Sequence, residues 1–142
     1  MRFQITPTKD VEDACKNNNY FTAFALASTY FEYETNMILG THFENKIPLK
    51  KIARWSIHTK IRLLFGLNMI DRTTHDKINA IIKIRNKLMH PKNIWKKGRM
   101  LDIFLRYRLT EKEKTSLLSF KECYTKLGEA HFRILGEKSK KQ

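Results

Sequence analysis

At 142 residues the chain is long enough for one domain with a hydrophobic core that needs no disulfide or metal. Its 28 Lys and Arg against 14 Asp and Glu give a net charge of +14, which excludes an acidic self-solvating chain and favours a polyanionic partner. Cys15 and Cys123 fit neither a zinc spacing nor a disulfide framework, and no apolar run nears the roughly 20 residues of a membrane span.

The elements are helical from end to end. Residues 10–16 form a short first turn, and Asn17-Asn18-Asn19 reads as a break or cap. From Tyr20 to about Leu39, Phe21, Phe24, Ser28, Phe31, Thr35 and Ile38 recur at three- and four-residue steps, the helical template. Tyr20, Tyr30, Tyr33 and Met37 widen that stripe, so this helix is either central or covered by a second subunit, with Gly40 as its C-cap. Pro48 suits the first turn of a second helix that runs to Phe65 on Leu49, Ile52, Ala53, Ile57, Ile61 and Leu64, and Gly66 stops it. A third begins after Asp71-Arg72-Thr73-Thr74, with Thr73 and Asp76 as a capping box, and faces the core with Ile78, Ile81, Ile82, Arg85, Leu88 and Met89. The stretch 92–109 is the least regular, with Trp95, Phe104 and Tyr107 interleaved with basic residues that would suit either base stacking or loop packing. Thr110 with Glu113 opens a last helix on Leu117, Phe120, Tyr124, Leu127, His131 and Ile134, ended by Gly136. No strand pattern or repeat interrupts this. The expectation is an all-α bundle of four to five helices, a single domain over 1–137 with a disordered basic tail at 138–142. The thiols are expected to be reduced, and with no apolar signal core near the start the protein is expected to be soluble and cytoplasmic.

Charge is unevenly spread. Residues 1–45 hold three basic and six acidic side chains, residues 46–108 hold 17 and three, and residues 109–142 hold eight and five. The excess therefore surrounds Arg85-Asn86-Lys87-Leu88-Met89-His90-Pro91. Arg85 falls in the apolar stripe, where a cation is costly unless it is paired or faces a cleft or interface. On an ideal helix His90 points about 140° away from Arg85. Pro91 disfavours the α conformation at position 90, so the chain leaves the helix there and His90 can turn toward Arg85. Asn86, four residues before His90, is placed to orient the ring. Two readings stay open: a convergent Arg/Asn/His cluster for phosphate chemistry, or a helix-end network in which His90 is a C-terminal cap favoured by the helix dipole. Glu32 or Glu34 would be the partner of a buried Arg85. His58 and His75 read as surface residues and His131 as a satisfied core or interface histidine, while His42 has no usable context.

The segment LLFGLNMIDRTTHDKINAIIKIRNKLMH resembles the core of the HEPN superfamily, whose signature is Arg, four to six residues, then His. Here that is Arg85, four residues and His90, with Asn86 at the polar position directly after the Arg. The layout KIRLLFGLNMI … INAIIKIRNKLMH is also similar to the mannitol-operon-repressor-like branch, with its GLI … IRNxxAH pattern, and the match covers residues 57–92. The resemblance implies a HEPN-like bundle that dimerises, with two Arg/His pairs meeting in a basic cleft. Active members are endoribonucleases that need neither metal nor cofactor, and in them the RNA 2′-OH attacks the adjacent phosphate. Carried over, His90 is the general acid/base, Arg85 stabilises the phosphorane charge, and Asn86 orients His90 or contacts phosphate. The charge map, not the family, adds Lys83, Lys87, Lys92, Lys96, Lys97 and Arg99 as backbone contacts. Implied partners are RNA, a second copy of the chain, and an antitoxin or regulatory protein, as for a toxin or phage-defence effector. The branch paired with nucleotidyltransferase antitoxins carries a Tyr two residues after the His; Lys92 stands there instead, so modification at that position is not expected. The repressor-like branch implies the alternative, a non-catalytic regulator or partner-binding module. Sequence-specific DNA binding is weaker, because no helix-turn-helix with a polar recognition helix is evident.

Overall fold

The apolar spacing after Tyr20 makes the helix around which the others gather. In the computed structural model, which describes residues 7–89 and 109–140, the described residues form helices and no strands. They are α1 (Pro7–Lys16), α2 (Tyr20–His42), α3 (Leu49–Ala53), α4 (Ile57–Gly66), α5 (Arg72–Met89), α6 (Glu111–Thr115), a 3-10 turn (Ser116–Ser119) and α7 (Phe120–Lys140). The all-α bundle is as expected.

Helix α2 packs against α1, α3, α4, α5 and α7. It brings Ala23, Phe24, Ala27, Phe31, Ile38 and Leu39 fully out of solvent. Ile61 and Leu64 of α4, Ile78, Ile81 and Ile82 of α5, and Phe120, Cys123 and Leu127 of α7 close the core around it. Burial pushes the Cys123 thiol up to about 11, so it behaves as a small apolar residue rather than a nucleophile. On the α2–α7 seam the rings of Phe31 and Phe120 lie 5.1 Å apart. Glu34 there accepts from the Tyr124 hydroxyl at 3.4 Å and lies 3.3 Å from His131 Nδ1. His131 thus lies on the seam its apolar stripe suggests, within ion-pair distance of Glu34.

The α1–α2 seam carries a titration. The Tyr30 hydroxyl donates to Asp10 Oδ2 at 2.6 Å, and this bond, with burial and the Asp10 charge behind it, raises the phenol to about 12. A raised folded-state value means the fold favours the protonated phenol. The stabilisation is complete below the ordinary tyrosine value near 10 and is lost as pH climbs from there to about 12. Tyr30→Phe should remove this part of the alkaline loss, read from unfolding curves at pH 9 to 12.

The helix ends depart from the glycine-based expectations. Helix α1 ends at Lys16, followed by Asn18 with φ 55° inside the expected Asn17–Asn19 break, and α4 ends at Gly66, followed by Asn68 with φ 59°. After α4 the Met69 N–H reaches Leu64 O at 2.9 Å and the Asn68 N–H reaches Phe65 O at 3.0 Å, the paired bonds of a Schellman motif. Asparagine tolerates the left-handed region because its side chain hydrogen-bonds locally. Gly66 is simply the last helical residue. Asn68→Ala should therefore cost about 1–2 kcal/mol while Asn68→Gly costs nothing, measured by urea unfolding. Gly40 lies inside α2, and a Cβ there would come 2.9 Å from Leu49 Cδ1. Its smallness serves the approach of α3, and α2 continues to His42. Helix α7 likewise passes Gly136 and runs to Lys140.

The single helix expected from Pro48 to Phe65 is two. Ser56, in extended conformation, caps α4 by accepting from the Thr59 N–H at 3.2 Å. At the start of α5 the cap is Asp71, not Thr73: Asp71 Oδ1 accepts from the Thr74 N–H at 2.7 Å. Hydrogen bonds from Thr74 hold the Asp71 carboxyl below the usual carboxylate range. The Thr110–Glu113 capping box forms as expected, with bonds of 3.1 and 2.9 Å.

Candidate site at the α4–α5 seam

Ile78, Ile81 and Ile82 fix the rotation of α5 by facing the core. Ile84 is the next buried residue on the helix, and Arg85 and Asn86 are half-buried. Arg85 thus sits at the edge of the apolar face rather than on it. No carboxylate of α2 meets it, a correction to the expected pairing with Glu32 or Glu34. Glu34 belongs to the α7 seam. Glu32 lies 3.2 Å from the Nζ of Lys60, a fully buried lysine whose ammonium also donates to Asn36 Oδ1 at 2.7 Å. Among the described residues the buried cation is therefore Lys60. The signal was in the sequence: Lys60 follows Ile57 by three residues and precedes Leu64 by four, on the apolar face of α4.

Arg85 Nη1 donates to Asn86 Oδ1 at 2.9 Å, and its buried Nε has no hydrogen-bond partner. From Asn86 a line of polar contacts continues. Asn86 Nδ2 lies 3.5 Å from His58 Nε2, and His58 Nδ1 lies 3.0 Å from Asn79 Oδ1. Asn79 Nδ2 lies 3.1 Å from His75 Nε2, and His75 Nδ1 lies 2.9 Å from Asp76 Oδ1. His58 and His75 are half-buried members of this line, not the ordinary surface residues expected. A polar stripe at steps of four and seven, His75, Asn79 and Asn86, was legible on α5. What sequence could not show is that His58, in the first turn of α4, lies against it.

Lys83 and Lys87 are exposed on α5, as backbone-contacting lysines must be. His90, Lys92, Lys96, Lys97 and Arg99 lie outside the described residues. Among the described residues no three His, Cys, Asp or Glu side chains gather as a metal site, and no helix is long and apolar enough to cross a membrane. The arrangement offers a held guanidinium, exposed lysines on the same helix and imidazoles linked to it by hydrogen bonds. Those are groups for anion binding and proton transfer.

Comparison of the chain with family models, curated proteins and solved structures finds no match. Function must therefore be argued from the site.

Proposed function

We propose that this chain is a metal-independent endoribonuclease of HEPN type, acting in the cytoplasm as a toxin or phage-defence effector. The observation that carries the reading is Arg85: a guanidinium near the end of α5, unpaired with any carboxylate among the described residues, and held by the adjacent Asn86. It stands five residues before His90 in the most basic segment of the chain, residues 46–108. A cation kept free of a counter-ion at a half-buried position is what an incoming phosphate requires.

In the proposed reaction His90 takes the proton of the RNA 2′-OH as the 2′-oxygen attacks phosphorus. The P–O5′ bond breaks, the leaving oxygen gains a proton, and the ends are a 2′,3′-cyclic phosphate and a 5′-OH. Arg85 neutralises the charge that grows on the non-bridging oxygens. Two copies of the chain would bring two such pairs to one cleft, and Lys83, Lys87, Lys92, Lys96, Lys97 and Arg99 would follow the RNA backbone. The test is incubation with total RNA in a chelator followed by analysis of the ends. Cyclic-phosphate ends in EDTA support the reading, and intact RNA sinks it.

A second reading is a non-catalytic regulator or partner-binding module of the same fold, engaging an antitoxin or regulatory protein. Phe132 and Leu135 favour it: these α7 side chains are 79% and 48% exposed, apolar surface suited to a protein partner. Under this reading His90→Ala leaves function intact.

A further inference from the structure

We infer that His58, Asn79, His75 and Asp76 are positioning residues for Arg85, acting through a directional chain of hydrogen bonds that ends on Asn86. The inference deepens the proposed function and rests on reading Arg85 as the phosphate-contacting group.

The two ends of the chain set its direction. A guanidinium can only donate and a carboxylate can only accept. Arg85 Nη1 donates to Asn86 Oδ1, so the Asn86 amide must turn its NH₂ toward His58 Nε2. His58 Nε2 therefore accepts, and the ring hydrogen is on Nδ1, where it is given to Asn79 Oδ1. The Asn79 NH₂ then faces His75 Nε2, and His75 Nδ1–H is given to Asp76 Oδ1. All five contacts agree with one direction, running from Arg85 to Asp76. Both imidazoles are thereby set as the Nδ1–H tautomer, the less common form of free histidine.

Helical geometry explains how six side chains meet. His75 and Asn79 are one turn apart on α5, and Asn86 follows two turns later, about 10.5 Å along the axis. His58 reaches across from α4 and uses one ring nitrogen for each asparagine. Joining α4 to α5 requires only the His58–Asn79 bond. The added contact to Asn86 has a different consequence: it holds the amide that holds the guanidinium. It is also the longest link, at 3.5 Å against 2.9 to 3.1 Å for the other four, so disturbance upstream should show first at the Arg85 end. An arginine held in place before phosphate arrives loses less rotamer freedom on binding, which is the benefit of preorganisation.

The test uses the full chain and two kinds of reading. Long-range ¹H–¹⁵N spectra should show both His58 and His75 as Nδ1–H, and ¹⁵N relaxation should show an ordered Arg85 Nε–H. Asn79→Ala should release both tautomers and mobilise Arg85. His58→Phe, which keeps a ring but loses both bonds, should also mobilise Arg85 and stands in should Asn79→Ala not fold. With RNA, Asn79→Ala should lower kcat by about ten- to a hundredfold with KM unchanged, a split that loosened packing alone would not produce. Rings in the Nε2–H form in the wild type, or an Arg85 equally ordered in the folded variants, would overturn the inference. Absence of RNA cleavage by the wild type would instead overturn the ribonuclease reading, while the tautomer and relaxation measurements still decide whether the chain positions Arg85.

Discussion

Arg85→Ala and His90→Ala are each expected to reduce RNA cleavage in chelator by about 10²–10⁴-fold, the range for loss of a general acid/base or of a principal charge stabiliser. The two should fail for different reasons. Without His90 the 2′-OH keeps its proton and the leaving oxygen lacks a donor. Without Arg85 the proton can move, but the growing phosphorane charge meets only screened lysines. Neither change should unfold the chain. Arg85 lies at the margin of the α5 core face, and its one described hydrogen-bond partner is its neighbour Asn86. Circular dichroism of both variants, run beside the cleavage assay, separates lost chemistry from lost structure. Folded variants that still cut RNA at the wild-type rate would exclude the ribonuclease reading and leave the partner-binding module. Charge reversal at the exposed Lys83 and Lys87 should act differently, weakening RNA binding and flattening its salt dependence with little change in kcat.

Which parts were legible in the sequence follows from the range of the forces involved. Helix α2 could be read because Phe24, Phe31 and Ile38 repeat every seven residues and all three are fully buried. The Thr110–Glu113 box could be read because a cap is local, closed within four residues. Helix ends were misplaced at Gly40 and Gly136, which α2 and α7 run past, while the stop at Gly66 fell within one residue. Asn68 takes the left-handed position after α4 where Gly66 was expected to act, whereas the run Asn17-Asn18-Asn19 did announce the break after α1. The break at Ser56 was hidden because Ala53, Ile57, Ile61 and Leu64 keep a four- and three-residue spacing across the interruption. The site was half-legible. Arg85 and Asn86 are adjacent in the chain, so their contact is a short-range fact. His58 lies 28 residues from Asn86 and 21 from Asn79, and only the packing of α4 on α5 brings them together. Lys60 is the reverse case: its periodicity announces burial, yet the heptad habit of scanning apolar residues alone passes over a lysine in the stripe.

Opposite signs are expected for the two ends of the Lys60–Glu32 contact. Lys60 is fully buried while the Glu32 side chain is 41% exposed, so nearly all the cost of leaving water falls on the ammonium. Lys60→Met keeps a stem of similar volume, deletes the buried charge, and lets Glu32 return to solvent. It should be neutral or stabilising, by up to about 1–4 kcal/mol, as when buried ion pairs give way to apolar side chains. Glu32→Ala does the contrary and leaves the buried ammonium with the Asn36 carbonyl at 2.7 Å as its remaining partner among the described residues. The loss for a wholly buried pair is about 3–5 kcal/mol, and the exposure of Glu32 should reduce it to about 1–3 kcal/mol. Urea unfolding of the two single variants and the double decides the point. If Lys60→Met is as destabilising as Glu32→Ala, the ion pair outweighs its desolvation and the lysine is part of what holds α4 to α2. If Lys60→Met is the more stable protein, the lysine persists against stability, and the double variant should recover most of what Glu32→Ala loses.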